Sequence, residues 1–393
     1  MISGVPAADR GGTLSDFKRD KMIYYGDAME YINETSEVIR ELSDSGKDML
    51  ADAAGLIKGE KVSHLILIGT GSSFNAACAA VFSKRKKFGT GIQVFYPAEF
   101  RDILPLLSHD TLVAGISQQG TSTAVIEAVE DARRAGFRTL AVTGEEETPL
   151  KKAADAEMLT PCGYEDAGAT TKGYTATTLA LMMLSEAVLS KTVLSEATLP
   201  EAMLPETVLT EAVPTVDHKD SADVDIRKLC AAVERGLTGT DTEIRELSGK
   251  LASAEELIIL ISDGLKGHLP EIVLKFSEMC RISVRGYTAD EFVHGIYNSV
   301  TERSVFLFLQ YGNATCTEVR LQEYYREKGF KVLTFAGEQK DGCIGLEFIP
   351  LLQKLCVLTS REKGININIP KDPDFHRIIG SKKESRNVCR NKE

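Results

Sequence analysis

Short apolar runs alternating with helical patterns predict an α/β chain with two parallel sheets, each covered by helices on both faces. Three observations carry this. His64–Ile68 (HLILI), Thr111–Ser117 (TLVAGIS) and Thr139–Thr143 are strand-like, with helix-forming stretches between them. The rhythm restarts at Glu256–Ser262 (ELIILIS), Ser304–Gln310 (SVFLFLQ), Lys331–Phe335 and Leu346–Pro350. At 393 residues the chain can hold two domains of ordinary size, each with its own core.

Taken in order, residues 1–28 are rich in Gly, Asp and Lys without periodicity, and predict a flexible tail or a start-site artefact, since Met29 opens the better-patterned helix MEYINETSEVIREL. Each of the first two strands ends in a Gly/Ser turn followed by a helix. The first of these helices, Gly71–Phe82, is rich in Ala; the second, through Ala135, repeats Val125, Ala128, Val129 and Ala132 at i, i+3, i+4 and i+7. Residues 29–185 are therefore the first domain. Leu184–Val213 is six degenerate pentapeptides. A five-residue period advances about 140° around a helix, so the leucines make no stripe. Pro200, Pro205 and Pro214 interrupt any helix there. Residues 186–240 are assigned as this linker plus a connecting helix, 241–380 as the second domain and 381–393 as a polar tail.

Composition narrows the function. Acidic residues number 57 against 46 basic, a net charge of −11, which disfavours nucleic acid and membrane surfaces as partners. No apolar run approaches the ~20 residues of a membrane span, and the first 28 residues lack a signal-peptide core. A cytoplasmic location is expected. The eight cysteines are scattered singly, and no two of the six histidines stand at i, i+4, so neither a disulfide framework nor a metal is expected. Cys78, Cys280 and Cys356 are expected as small buried hydrophobes.

Two loops carry the candidate anion site. Gly69-Thr70-Gly71-Ser72-Ser73 and Ser117-Gln118-Gln119-Gly120-Thr121-Ser122 each follow a strand and open a helix. Glycine lets backbone approach a ligand, the helix N-terminus offers free N–H groups, and hydroxyls add donors. Neither loop is a dinucleotide fingerprint or is followed by a P-loop lysine, so no nucleotide cofactor is expected. A third stretch, Glu165 to Thr175, precedes another helix. In the second domain, Glu271, Lys275 and Glu278 fall at i, i+4 and i+7 of the helix Pro270–Cys280, on one face. Taken alone such a face is usually solvated. His294 follows Glu278 by sixteen residues; a carboxylate and an imidazole at one sugar make an acid–base pair near neutral pH.

From Met29 to about Gly380, apart from the linker, these motifs resemble the tandem SIS (sugar isomerase) family of sugar-phosphate enzymes. The resemblance implies two three-layer αβα domains. Ser72, Ser73, Ser117, Gln118 and Ser122 would bind substrate phosphate, and Ala169, Thr170 and Lys172 the sugar. Glu271, Lys275, Glu278 and His294 resemble the catalytic series of the isomerase half of glutamine–fructose-6-phosphate aminotransferase. Lys275 would keep Glu278 charged, Glu271 would hold Lys275, and the histidine loop would cross a homodimer interface. Three departures stand out: no glutaminase domain precedes Met29, Gln119 replaces a usual serine, and the family's C-terminal ring-opening lysine has no match at its expected place, with Lys371 and His376 as the candidates. Ketoamine-6-phosphate deglycases lack the first and last features as well. A deglycase is therefore the first expectation, with a glucosamine-6-phosphate deaminase or isomerase and a non-catalytic sugar-phosphate sensor as alternatives.

Overall fold

The computed structural model describes residues 26–58, 62–88, 91–189, 224–339 and 342–383. Most of the 1–28 tail, residues 190–213 of the pentapeptide segment and residues 384–393 of the polar tail lie outside these. The alternation of strand and helix is realised as two all-parallel sheets. The first has β1 (His64–Ile68), β2 (Ile92–Phe95), β3 (Thr111–Ile116), β4 (Arg138–Thr143) and β5 (Ala156–Leu159), in spatial order β2-β1-β3-β4-β5. The second has β6 (Glu256–Ile261), β7 (Ser283–Thr288), β8 (Ser304–Tyr311) and β9 (Lys331–Gly337), in order β7-β6-β8-β9. The central strands β1, β3, β6 and β8 are apolar on both faces because helices cover both.

One apolar cluster joins the two sheets. It runs from Leu65 and Leu67 through Ala76, Leu179 and Ala180 to Phe276, Cys280, Leu355 and Leu257. Helices Ser72–Phe88, Lys172–Leu189, Leu269–Cys280 and Ile349–Glu362 thus form a shared inner layer between the sheets. Separate clusters fill the outer faces; that of the second sheet packs Phe292 against Phe306 and Tyr325.

Two expectations need correction. Leu346–Pro350 is not a strand: it is a 3-10 turn, Leu346–Phe348, leading into the helix Ile349–Glu362. Residues 349–360 of that helix are all buried, so it shows no polar face and its first turn mimics a strand's apolar run. Strands β2, β5 and β7 are absent from the sequence reading. All three are sheet edges, half-exposed, and lack the continuous apolar run of a central strand. Of the three cysteines expected in the core, Cys280 and Cys356 are buried, but Cys78 is only half-buried.

Candidate functional site

The sheet order places the candidate site. β1 and β3 are neighbours, so the loops at their carboxyl ends lie side by side. Thr70 and Ser122 hydroxyls meet at 3.3 Å, and the Ser122 N–H donates to Ser117 Oγ at 3.4 Å. Both loops turn through glycines at positive φ, Gly71 at +56° and Gly120 at +61°. A Cβ on Gly120 would also meet Thr148 Cβ at 2.2 Å, so this turn is closed to other residues.

The helix that follows the first loop crosses onto the charged helix of the second half. Lys275 Nζ donates to Ser72 Oγ at 3.1 Å, lies 3.2 Å from Glu271 Oε1 and bonds Glu278 Oε1. Asn75 Nδ2 donates to Glu271 Oε2 at 2.9 Å. Glu271 is 0% exposed and Lys275 2%, so this face is not the solvated one such spacing usually gives. Burial opposes the Lys275 charge, but the two carboxylates outweigh it and hold the ammonium above the ordinary lysine range. Glu278 keeps 32% of its side-chain surface. Burial is nonetheless the largest influence on its carboxyl and raises it, against the pull of Lys275. Lys275 thus orients Glu278 and pulls its proton affinity down, while burial raises it by more.

The other expected residues fare differently. Ser73 is half-buried at the same helix start. The Gln118 amide donates to Glu165 Oε2 at 2.7 Å, and Glu165 also accepts from the Thr171 N–H and hydroxyl at 3.0 and 2.6 Å. Glu165, given no role from the sequence, therefore ties the Ser117–Ser122 loop to the segment carrying Ala169 and Thr170. Lys172 is buried, paired with Glu34 and 5.1 Å above the Tyr31 ring. His294 is exposed beyond the Phe292 anchor, and among the described residues its imidazole has no polar partner. Within one chain, then, Ser72 and the Glu271–Lys275–Glu278 series come together without His294.

A lysine missed from the sequence reaches the site instead. Residues 380–383 lie along the Ser117–Ser122 loop: Thr123 N–H donates to Ser381 O at 3.1 Å, Lys383 N–H to Thr121 O at 2.7 Å, and Ser122 bridges Lys382 in antiparallel fashion. This places Lys382 Nζ 3.1 Å from Gln119 Oε1 and within electrostatic reach of Glu278 and Glu145. The Lys382 side chain is exposed overall, yet desolvation at this position lowers its ammonium from the ordinary lysine range; the two carboxylates oppose this. Lys371 is exposed and away from these contacts, while His376 supports the turn by bonding Ser381 Oγ at 2.8 Å. No local pattern marks Lys382 among its polar neighbours; only the strap's pairing selects it.

Comparison with known proteins agrees with the fold. Residues 60–187 match the SIS domain. Glutamine–fructose-6-phosphate aminotransferase [isomerizing] of Streptococcus mutans is 23% identical over 384 residues, 91% of this chain and 59% of that protein. The chain spans about half or less of the length of several such relatives, 27% for the Clostridium tetani protein and 47% for that of Streptomyces coelicolor. Among solved structures, the C-terminal domain of glucosamine-fructose-6-phosphate aminotransferase from Francisella tularensis superposes with a TM-score of 0.67 at 20% identity, covering 88% of this chain and 98% of that one. Glucosamine-6-phosphate deaminase from Thermotoga maritima gives 0.59 at 16%, covering 88% and 97%. Among the described residues, no helix is long and apolar enough to cross a membrane. The match to the SIS domain covers residues 60–187, and the two parallel sheets together have the fold of solved phosphosugar isomerases.

Proposed function

We propose that this chain is an acid–base enzyme acting on an open-chain sugar 6-phosphate that carries an amino group. The observation that supports it best is Lys275, whose ammonium touches Ser72 of the first phosphate loop and Glu278 together. A phosphate held by the two loops leaves the far end of the sugar toward Glu278. Glu278 takes the proton from carbon 1 of a ketoamine, giving an enaminol, and returns it to carbon 2, giving an aldimine. Water adds at carbon 1, and the amine leaves with glucose 6-phosphate as the other product. A raised carboxyl suits this role, because a base with higher proton affinity abstracts a carbon-bound proton more readily. His294, supplied by a second copy of the chain, protonates a sugar oxygen and helps open the ring.

Lys382 favours a second reading, deamination or isomerisation of glucosamine 6-phosphate. An amine with a lowered proton affinity can attack an open-chain carbonyl, forming an imine and releasing water. The test is glucose 6-phosphate release from a panel of fructose-amine 6-phosphates, with glucosamine 6-phosphate alongside and Glu278→Gln as control. Glucose 6-phosphate from the conjugates alone supports the deglycase. Ammonia and fructose 6-phosphate from glucosamine 6-phosphate move the assignment to the deaminase, and silence on both overturns the enzyme reading.

A further inference from the structure

We infer that Gln119 is a positioning residue whose side-chain carbonyl holds the Lys382 amine at the mouth of the site, between Glu145 and Glu278. The proposal rests on Lys382 acting in the reaction as described above, but the hold itself stands on separate observations. Gln119 Oε1 lies 3.1 Å from Lys382 Nζ. The backbone around both residues is fixed: Lys383 N–H donates to Thr121 O at 2.7 Å, Thr123 N–H to Ser381 O at 3.1 Å, and Thr123 Oγ1 to Gly380 O at 3.0 Å. Beyond this strap a lysine side chain keeps free rotation about several bonds. One acceptor at the right height removes much of that freedom. Serine or alanine at position 119 would be too short to reach.

The groups facing Lys382 set the electrostatic balance. Glu278 stands on the charged helix and Glu145 on the segment after β4; both favour the ammonium. His376, from the short helix before the strap, feels the Lys382 charge and is itself lowered from the ordinary histidine value, chiefly by burial. Gln119 adds an acceptor without adding a third negative charge. It therefore fixes the nitrogen in place while raising its proton affinity less than a third carboxylate would. A carboxylate at 119 would fix it equally well and keep it protonated.

The experiment reads Lys382 directly in the full-length protein. The pH dependence of its labelling by a limiting amine-reactive acetylating reagent is followed by peptide mass spectrometry, without substrate. Separately, borohydride is used to reduce any imine formed with fructose 6-phosphate, and the adduct on Lys382 is counted. In Gln119→Ala the labelling midpoint is expected to move to lower pH, because the acceptor that favours the ammonium is gone, and the adduct yield at neutral pH nevertheless to fall about tenfold as the nitrogen loses its hold, the usual worth of one hydrogen bond to a charged group. Gln119→Glu is expected to recover the adduct at high pH, with its midpoint shifted up instead of down. An unchanged midpoint and yield in Gln119→Ala overturn the proposal. A shifted midpoint with no adduct in the unaltered protein supports the hold by Gln119 and overturns the imine reading instead.

Discussion

Lys275 shows how a charge at this depth is tolerated: two carboxylates and a serine hydroxyl surround it. Removing one member leaves the others uncompensated. Lys275→Met is therefore expected to cost about 3–5 kcal/mol in urea unfolding, because Glu271 is left fully buried without its cation. Glu271→Gln in the same chain should recover part of that loss; no recovery would mean the triad is not energetically coupled. Glu278 is the residue on which the proposed chemistry depends. Glu278→Gln should lower kcat by ~10²–10⁴ with KM little changed. Burial raises the Glu278 carboxyl, and a general base works only when ionised. The acid limb of kcat/KM is thus expected above the ordinary glutamate value of about 4.3, with activity falling as pH drops through it. An acid limb that persists unmoved in the residual activity of Glu278→Gln would assign it to another group.

At the scale of elements, the strap formed by residues 380–383 is the part with most chemical consequence for least packing. It is tied to the Ser117–Ser122 loop by backbone hydrogen bonds and contributes no core residue. A stop codon after Ile379 should shift stability by less than about 1 kcal/mol. The same truncation removes Lys382, so turnover on glucosamine 6-phosphate is expected to drop by ~10²–10⁴ if that amine takes part. Thermal unfolding and initial rates on one preparation separate the two effects. A truncated protein that unfolds well below its parent would show the strap to be structural.

Across the whole molecule, the two halves are joined by a shared apolar layer and by buried polar contacts, among them a clasp at His268. His268 Nε2 faces the Ile344 carbonyl at 3.0 Å, which can only accept, so Nε2 carries the proton and Nδ1 accepts from the Tyr174 hydroxyl at 2.8 Å. Burial lowers the His268 imidazole to about 4. The unfolded chain takes up that proton near 6.5, whereas the folded chain does so only near 4. Below pH 6.5 the unfolded state binds more protons, and stability falls as pH falls, by about 3 kcal/mol between pH 6.5 and 4. His268→Asn should flatten that part of the curve in urea titrations; an identical slope would place the titrating group elsewhere. A second expectation concerns His294, which stands exposed and apart from Glu278. If a second copy supplies it, mixing Glu278→Gln with His294→Ala chains should restore about a quarter of full activity. Half the dimers are then mixed, and each mixed dimer has one intact site of two. No recovery on mixing would confine the site to one chain.

The central strands, the two glycine turns and the charge spacing of residues 271, 275 and 278 are local facts, and the sequence alone determined them. A strand buried on both faces must be apolar throughout, and a turn at positive φ selects glycine; such demands leave marks within a few residues. What the sequence could not decide was which marked residues meet. Lys275 could equally have been a solvated i, i+4 partner, and only the inner helix layer turns it onto Ser72, 203 positions away. Edge strands β2, β5 and β7 lacked an apolar run because one side of each stays open to solvent. The helix at 349–362 imitated a strand because it is surrounded. Lys382 was invisible for a related reason. Its setting is made by Gln119, Glu145 and Glu278, which arrive from three separate parts of the chain, and such a setting exists only once the backbone has folded.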